Sequence, residues 1–221
     1  HGFLQEEKPM GEICRYSLMT SMQQSVMNFG ILMVQSLVNS FGPAVMAAFA
    51  ATVKIDTFAY MPAQEFGNAY SIFISQNFGA GKAERVKQGT GKAMAVSAVF
   101  CGAVSVLVFA FARFLMLIFV DAGESQIIAI GMQYLRIEGA FYIGIGILFL
   151  LYGYFRGVNR PGISLVLTVI SLGTRVALAY ILAAIPTIGV TGIWWAIPIG
   201  WALADVTGFG LMRHDNEDSR K

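Results

Sequence analysis

The stretch AMAVSAVFCGAVSVLVFAFA, residues 93–112, runs twenty positions without a charged side chain. A helix of about 20 apolar residues rises 1.5 Å per residue and so crosses the ~30 Å hydrocarbon core of a bilayer. Around this stretch lies a longer apolar segment, residues 91–120, and five more of similar character lie at 13–40, 43–78, 127–155, 162–185 and 189–212. Barrel strands are not a competing reading, because they alternate apolar and polar positions over about ten residues and these runs do not.

Composition carries the same reading across the whole chain. Of the 221 residues, 56% are hydrophobic and 13% charged, with a mean hydropathy of +0.64. Soluble domains carry about 25% charged residues. A chain this apolar cannot cover its own surface in water, so the expectation is an all-α integral membrane protein of six transmembrane helices. The formal net charge of +2, without a long basic block, is too small to argue for nucleic acid, and no such partner is expected. Cys14 and Cys101 both sit in apolar surroundings and imply no disulfide framework. The chain starts His1-Gly2-Phe3 without an initiator Met, which suggests that an upstream part is missing.

Turn signals separate the segments: Ser40-Phe41-Gly42-Pro43, Gly79-Ala80-Gly81, Asp121-Ala122-Gly123-Glu124, Asn159-Arg160-Pro161-Gly162 and Pro186-Thr187-Ile188-Gly189. The second segment is long, and Pro62 sits where a kink would fall. Lys82, Arg85, Lys87 and Lys92 follow the second segment, Arg156 and Arg160 end the fourth, and the tail carries Arg213, Arg220 and Lys221. The loop holding Asp121 and Glu124 is acidic. The positive-inside rule therefore places both termini and the basic loops in the cytoplasm, which an even number of spans allows.

Polar residues inside the spans ask for a wet cavity or a partner, because hydrocarbon solvates them poorly. In the first span Ser17, Ser21, Gln24, Asn28, Gln35 and Asn39 form a stripe at 100° per residue. That stripe is either the wall of an aqueous or substrate cavity or a row of interhelical hydrogen bonds. The second span holds Lys54, Asp56 and Glu65, with Tyr60 and Tyr70 near the Asp56 face. These charges are either functional, the default for intramembrane ions, or structural partners of adjacent helices. The fourth span aligns Glu138, Tyr142, Tyr152 and Arg156, with the two charges near its ends, where snorkelling is cheap. The fifth aligns Ser164, Thr168, Ser171 and Arg175, and the sixth aligns Trp194, Pro198, Trp201 and Asp205. Arg175 and Asp205 each need a partner, and an Arg175–Asp205 pair between neighbouring helices is one solution.

Several motifs fall away. Gly79-Ala80-Gly81-Lys82-Ala83 has Gln76 where a phosphate loop needs Gly, and Ala where it needs Ser or Thr. Gly153-Tyr154-Phe155-Arg156-Gly157 is a small-xxx-small contact that reads as packing. His1 and His214 are terminal, so no metal site, histidine base or triad is expected, and no enzyme.

Lys54-Ile55-Asp56-Thr57-Phe58-Ala59-Tyr60-Met61-Pro62, followed by Ser75-Gln76-Asn77-Phe78-Gly79-Ala80-Gly81, resembles the eighth helix of multidrug and toxic compound extrusion (MATE) transporters. Tyr134-Leu135-Arg136-Ile137 leading to Gly153-Tyr154-Phe155-Arg156-Gly157 looks like the tenth helix and its Arg-Gly turn. Gln24 with Val34-Gln35-Ser36-Leu37-Val38-Asn39-Ser40-Phe41-Gly42 looks like the seventh. The resemblance covers nearly the whole chain and implies the C-terminal six-helix lobe of a twelve-helix transporter, with the N-terminal lobe as its partner. Such two-lobed repeats place substrate between the lobes. It implies export of bulky, amphipathic, often cationic compounds in exchange for Na⁺ or H⁺. Some branches carry acids near the positions of Gln24 and Ile145; both are neutral here, so the resemblance implies that the N-terminal lobe holds most of the coupling ion. Gln24, Asn28, Tyr60, Glu65 and Tyr142 are the expected cavity residues, and Lys54, Asp56, Glu138, Arg175 and Asp205 the expected charge network. Alternatives are a lipid-linked oligosaccharide or lipid flippase of the same superfamily, which Lys54 and Arg175 keep open, and, in another class, a structural membrane subunit or membrane enzyme.

Overall fold

The computed structural model describes residues 7–218, all of whose regular structure is helical. His1, Arg220 and Lys221 lie outside the described residues. Seven helices follow one another: α1 (Glu7–Asn39), α2 (Pro43–Gly79), α3 (Ala83–Leu117), α4 (Ser125–Gly139), α5 (Tyr142–Gly157), α6 (Pro161–Ala183) and α7 (Val190–Asp218).

The chain turns where the local chemistry stops a helix. Gly42 takes a positive φ of 99° ahead of Pro43, whose missing N–H and fixed φ suit the first helical position. After α2, Gly81 at φ 68° lets Lys82 N–H reach back to the Asn77 carbonyl at 2.9 Å, which caps orphaned C-terminal carbonyls. Asn159, the one non-glycine residue at positive φ among those described, does the same after α5: Arg160 N–H donates to the Phe155 carbonyl at 2.8 Å, and Pro161 opens α6.

The fourth apolar segment is not one straight helix. It breaks at Ala140–Phe141 into α4 and α5, which meet at 52°. No proline lies there; Gly139 weakens the helix just before the break. Pro62, the expected kink site, lies inside α2, which runs as one helix from Pro43 to Gly79. The third helix also begins at Ala83, about two basic turns earlier than the apolar stretch alone suggests.

Helices α2, α3, α6 and α7 are long and apolar enough to cross a membrane, and the bent α4–α5 pair is so too when its two halves are taken as one broken span. At 33 residues α1 has the length, but its polar stripe keeps it below the hydropathy of the others. The outer surface is apolar: Val99 is 75% exposed and Val106 68%, on the face of α3 that would meet lipid. Water would not tolerate a continuous face of this kind, and this is a membrane protein.

Inside the bundle, α5 packs on α2 and α6 on α7 over the broadest interfaces, and α1 lies against α6. Most of the 16 residues of α5 are buried, which puts it at the centre. Its contact with α2 is close because glycines face backbone there. A Cβ on Gly153 would stand 2.5 Å from the Gly67 carbonyl oxygen, and one on Gly67 would stand 2.8 Å from that of Phe149. The small-xxx-small motif is thus a helix contact.

Candidate functional site

The bend between α4 and α5 is where the buried charges meet. Asp56, 2% exposed on α2, faces both sides of it. Tyr134 of α4 donates its hydroxyl to Asp56 Oδ2 at 2.7 Å. Tyr142, the first residue of α5, donates to the other oxygen, Oδ1. One carboxylate therefore ties together the two halves of a broken span. Bonds of a hydroxyl to an ionised group are among the stronger ones in proteins.

Glu138, one residue before the end of α4, is 3% exposed and lies beside Asp56. Arg175 of α6 acts electrostatically on both carboxylates. The three charges line a cavity of about 170 Å³, together with Tyr60, Tyr152 and Thr168. Glu138 Oε2 and Arg175 Nε are buried without a hydrogen-bond partner. Buried polar atoms are normally satisfied, so Glu138 Oε2 is an acceptor open to a proton or cation, and Arg175 Nε a donor open to an acceptor atom of a guest. Tyr60 stands edge-on to the Tyr142 ring, with centroids 6.3 Å apart, and gives the cavity an aromatic wall suited to a cation's face.

A smaller cavity of about 60 Å³ adjoins the first through Met27, Gln64, Phe149 and Tyr152, which line both. Its polar rim is Gln23, Gln24, Asn68 and Arg156. Buried Gln23 donates to Thr168 Oγ1 at 2.9 Å and so joins α1 to α6. Arg156 donates to Asn68 Oδ1 at 2.9 Å, and Asn68 donates to Glu65 at 3.3 Å.

The expected residues divide into three groups. Asp56, Tyr60, Tyr142, Glu138 and Arg175 come together at the bend. Gln24 and Asn28 lie at the rim on the exposed side of α1, joined by a 3.3 Å hydrogen bond. Lys54, Glu65 and Asp205 stand apart. Lys54 is exposed, with its ammonium 5.8 Å over the Phe119 ring, and Glu65 is exposed beside Asn68. No hydrogen bond or ion pair joins Arg175 to Asp205 among the described residues. Asp205 Oδ2 is directed at α5, 3.6 Å from where a Cβ of Gly144 would be, and its Oδ1 has no partner. The cavity face of α6, with Thr168 and Ser171, carries Arg175 toward Asp56 and Glu138 instead.

Tyr134 and Gln64 are site residues that the stripes do not single out. Tyr134 stands one helical turn before Glu138, a spacing that places both on one face. Tyr134 also holds the core behind the site, 4.8 Å edge-on to Trp194, which stacks on Phe49 at 5.7 Å. Among the described residues no group of three potential metal ligands occurs.

Comparison with known proteins gives the same architecture a family. Residues 18–181 match the family MatE. The chain is 29% identical over 159 residues to "Probable multidrug resistance protein YpnP" of Bacillus subtilis, covering 72% of this chain and 35% of that protein. It is 25% identical over 184 residues to "Probable multidrug resistance protein NorM" of Thermotoga maritima, covering 83% of this chain and 39% of that protein. Among solved structures, an outward-facing multidrug resistance MATE family transporter superposes with a TM-score of 0.89 at 22% identity, over 97% of this chain and 48% of that one. A MOP superfamily transporter from Pyrococcus furiosus, described by a reverse polarity of its binding pocket, superposes with a TM-score of 0.87 at 22% identity, over 92% and 46%. At that identity the structures speak to the fold, which is that of about half of each transporter. The chain spans less than half the length of these curated relatives, and it belongs to the MATE family of transporters.

Proposed function

We propose that this chain forms the C-terminal lobe of a secondary active multidrug exporter in the cell membrane, with both its ends in the cytoplasm. In that reading its polar cavity is one wall of a central cleft, and a second six-helix lobe forms the other. The transporter exchanges bulky amphipathic or cationic compounds for Na⁺ or H⁺, with the coupling ion held mainly by the other lobe.

The observation that carries this reading is the pair Asp56 and Glu138 beside Arg175, buried at the bend of a membrane-spanning segment. Charges in such a position are costly and functional by default. Two carboxylates against one guanidinium leave the cavity with a formal excess of negative charge when all are ionised, which suits a cationic guest. The tyrosine bonds give that charge a mechanical outlet. When a cation or proton neutralises Asp56, its bonds to Tyr134 on α4 and Tyr142 on α5 weaken together, and the angle between the two helices is released. Binding in the cavity is thereby linked to a rearrangement of the span, the kind of two-state element that alternating access requires.

In the full-length transporter, Asp56→Asn and Glu138→Gln should each lower efflux of a fluorescent cation from energised cells by about ten-fold, at unchanged expression. Gln24→Ala with Asn28→Ala should raise the concentration for half-maximal transport. Unchanged efflux in all of these variants would overturn the assignment.

Arg175 favours a second reading, in which the guest is anionic, as in a lipid or lipid-linked oligosaccharide flippase. The Pyrococcus furiosus transporter with its reverse pocket polarity is a fold neighbour. Arg175→Gln separates the two: it abolishes transport of an anionic guest and leaves or improves that of a cation.

A further inference from the structure

A groove of about 600 Å³ opens between α2 and α3 on the outer face of the bundle, away from the polar cavity. Phe66, Ala69, Tyr70 and Phe73 form its α2 wall at spacings of one helical turn, and Gly89 and Val96 stand opposite on α3. The Phe73 ring packs directly on Gly89, where a Cβ would stand 2.3 Å from it, and so forms the floor between the two walls. Tyr70 turns its hydroxyl inward to Thr90 at 2.6 Å, so only its ring meets the groove.

Two cations line this apolar slot, Arg85 at its end and Lys92 farther along, and both are exposed. They lie seven residues, or about 10 Å, apart along α3 and on the same face. No lining residue is acidic; the nearby Glu84 accepts from the Gln88 amide at 2.9 Å. Farther along the same seam a second groove of about 580 Å³ is walled by Ile55, Phe58, Val104, Leu107 and Phe111 and lined by no charge at all. The two grooves differ in these two cations, and the Arg85 end lies at the basic turn Lys82–Lys87.

We infer that the α2–α3 groove is a binding site for an anionic glycerophospholipid, with its phosphate between Arg85 and Lys92 and an acyl chain along Phe66, Phe73 and Val96. The charge complementarity identifies the occupant. An apolar slot needs a hydrocarbon chain, and two exposed cations along its α3 wall need an anion attached to that chain. Basic pockets between membrane helices bind anionic headgroups in this way, and the stems of Arg85 and Lys92 reach from the apolar wall toward the headgroup layer.

Native mass spectrometry of the delipidated full-length transporter tests this, with phosphatidylglycerol, phosphatidylcholine and glycerol phosphate as probes. Phosphatidylglycerol should bind at least about ten-fold more tightly than phosphatidylcholine, and Arg85→Ala with Lys92→Ala should weaken it about twenty-fold. Lys82→Ala with Lys87→Ala removes the same charge outside the groove and should change binding less than about two-fold. Ala69→Trp fills the slot, keeps both cations and should also abolish binding; it carries the test if the double alanine variant does not fold. Equal affinity for the two lipids, equal loss in both double variants, or glycerol phosphate binding as tightly as phosphatidylglycerol would each overturn the lipid site.

Discussion

Replacing Gly153 with alanine tests whether the α2–α5 contact holds the site together. The new Cβ would stand 2.5 Å from the Gly67 carbonyl oxygen, about 1 Å short of ordinary van der Waals contact. That oxygen belongs to a helical backbone and has no rotamer by which to move aside. Relief must come from separating α5 from α2, and overpacking of this kind costs about 1–3 kcal/mol. Gly157→Ala should cost a similar amount, since its Cβ would meet Ile74 at 2.6 Å and the Ser71 carbonyl at 2.9 Å. Gly91 on α3 and Gly173 on α6 are the controls, because nothing lies within 4 Å of a Cβ at either. Alanine there should leave stability unchanged or raise it by about 0.5–1 kcal/mol, the helix preference for Ala over Gly. The assay is unfolding of the full-length transporter by dodecyl sulfate in mild detergent, followed by circular dichroism. Separation of the helices also withdraws Tyr142, at the head of α5, from Asp56 on α2, so efflux should fall in Gly153→Ala and not in Gly91→Ala. Equal stability of Gly153→Ala and the parent, or an equal loss in Gly91→Ala, would refute the packing argument.

Three further outcomes follow from single contacts. Tyr134→Phe removes one of the two hydroxyls held by Asp56 and should cost about 1.5–3 kcal/mol in the same unfolding assay, the range for a bond to a charged group. Thr168→Val leaves the buried Gln23 amide without its acceptor and should cost about 1–3 kcal/mol; Gln23→Leu added to it should recover most of the loss, which a double-mutant cycle measures. Asn159 holds a φ of 61° in the turn before α6, so Asn159→Gly should be neutral, while Asn159→Val should lose about 1 kcal/mol or more.

The sequence announces membrane helices because that information is additive. Residues 93–112 need no tertiary context to read as a span, and the turns at Gly42-Pro43, Gly81 and Asn159-Arg160-Pro161 mark helix ends by backbone chemistry alone. The break at Ala140–Phe141 is not legible in that way. It has no proline, and it is bridged by Asp56, whose two tyrosine donors lie 78 and 86 residues downstream. Pro62, the visible kink candidate, sits within one continuous helix. The same limit governs the charges. Helical periodicity shows that Arg175 shares a face with Thr168 and Ser171, but not which helices that face meets. Neighbouring helices made Asp205 the natural partner, whereas α6 turns that face to the cavity and α7 turns Asp205 to α5. Gln24 and Asn28 are legible as a stripe, and their exposure on this lobe shows that the stripe is turned outward, not into the lobe's own core.

That outward stripe gives the most direct test of the central claim, that this chain forms one wall of a water-filled cleft between two lobes. In the full-length transporter with Cys14 and Cys101 replaced, single cysteines at Gln24 and Asn28 are to be treated with a membrane-impermeant cationic thiol reagent. Cysteines at Phe58 and Val99, which are 74% and 75% exposed on the apolar surface, serve as lipid-facing controls. Labelling is expected to be rapid at Gln24 and Asn28, slowed by a transported cation, and absent at Phe58 and Val99. Labelling at Gln24 and Asn28 as slow as at the two controls would place the stripe in lipid or in a dry helix contact and contradict that claim.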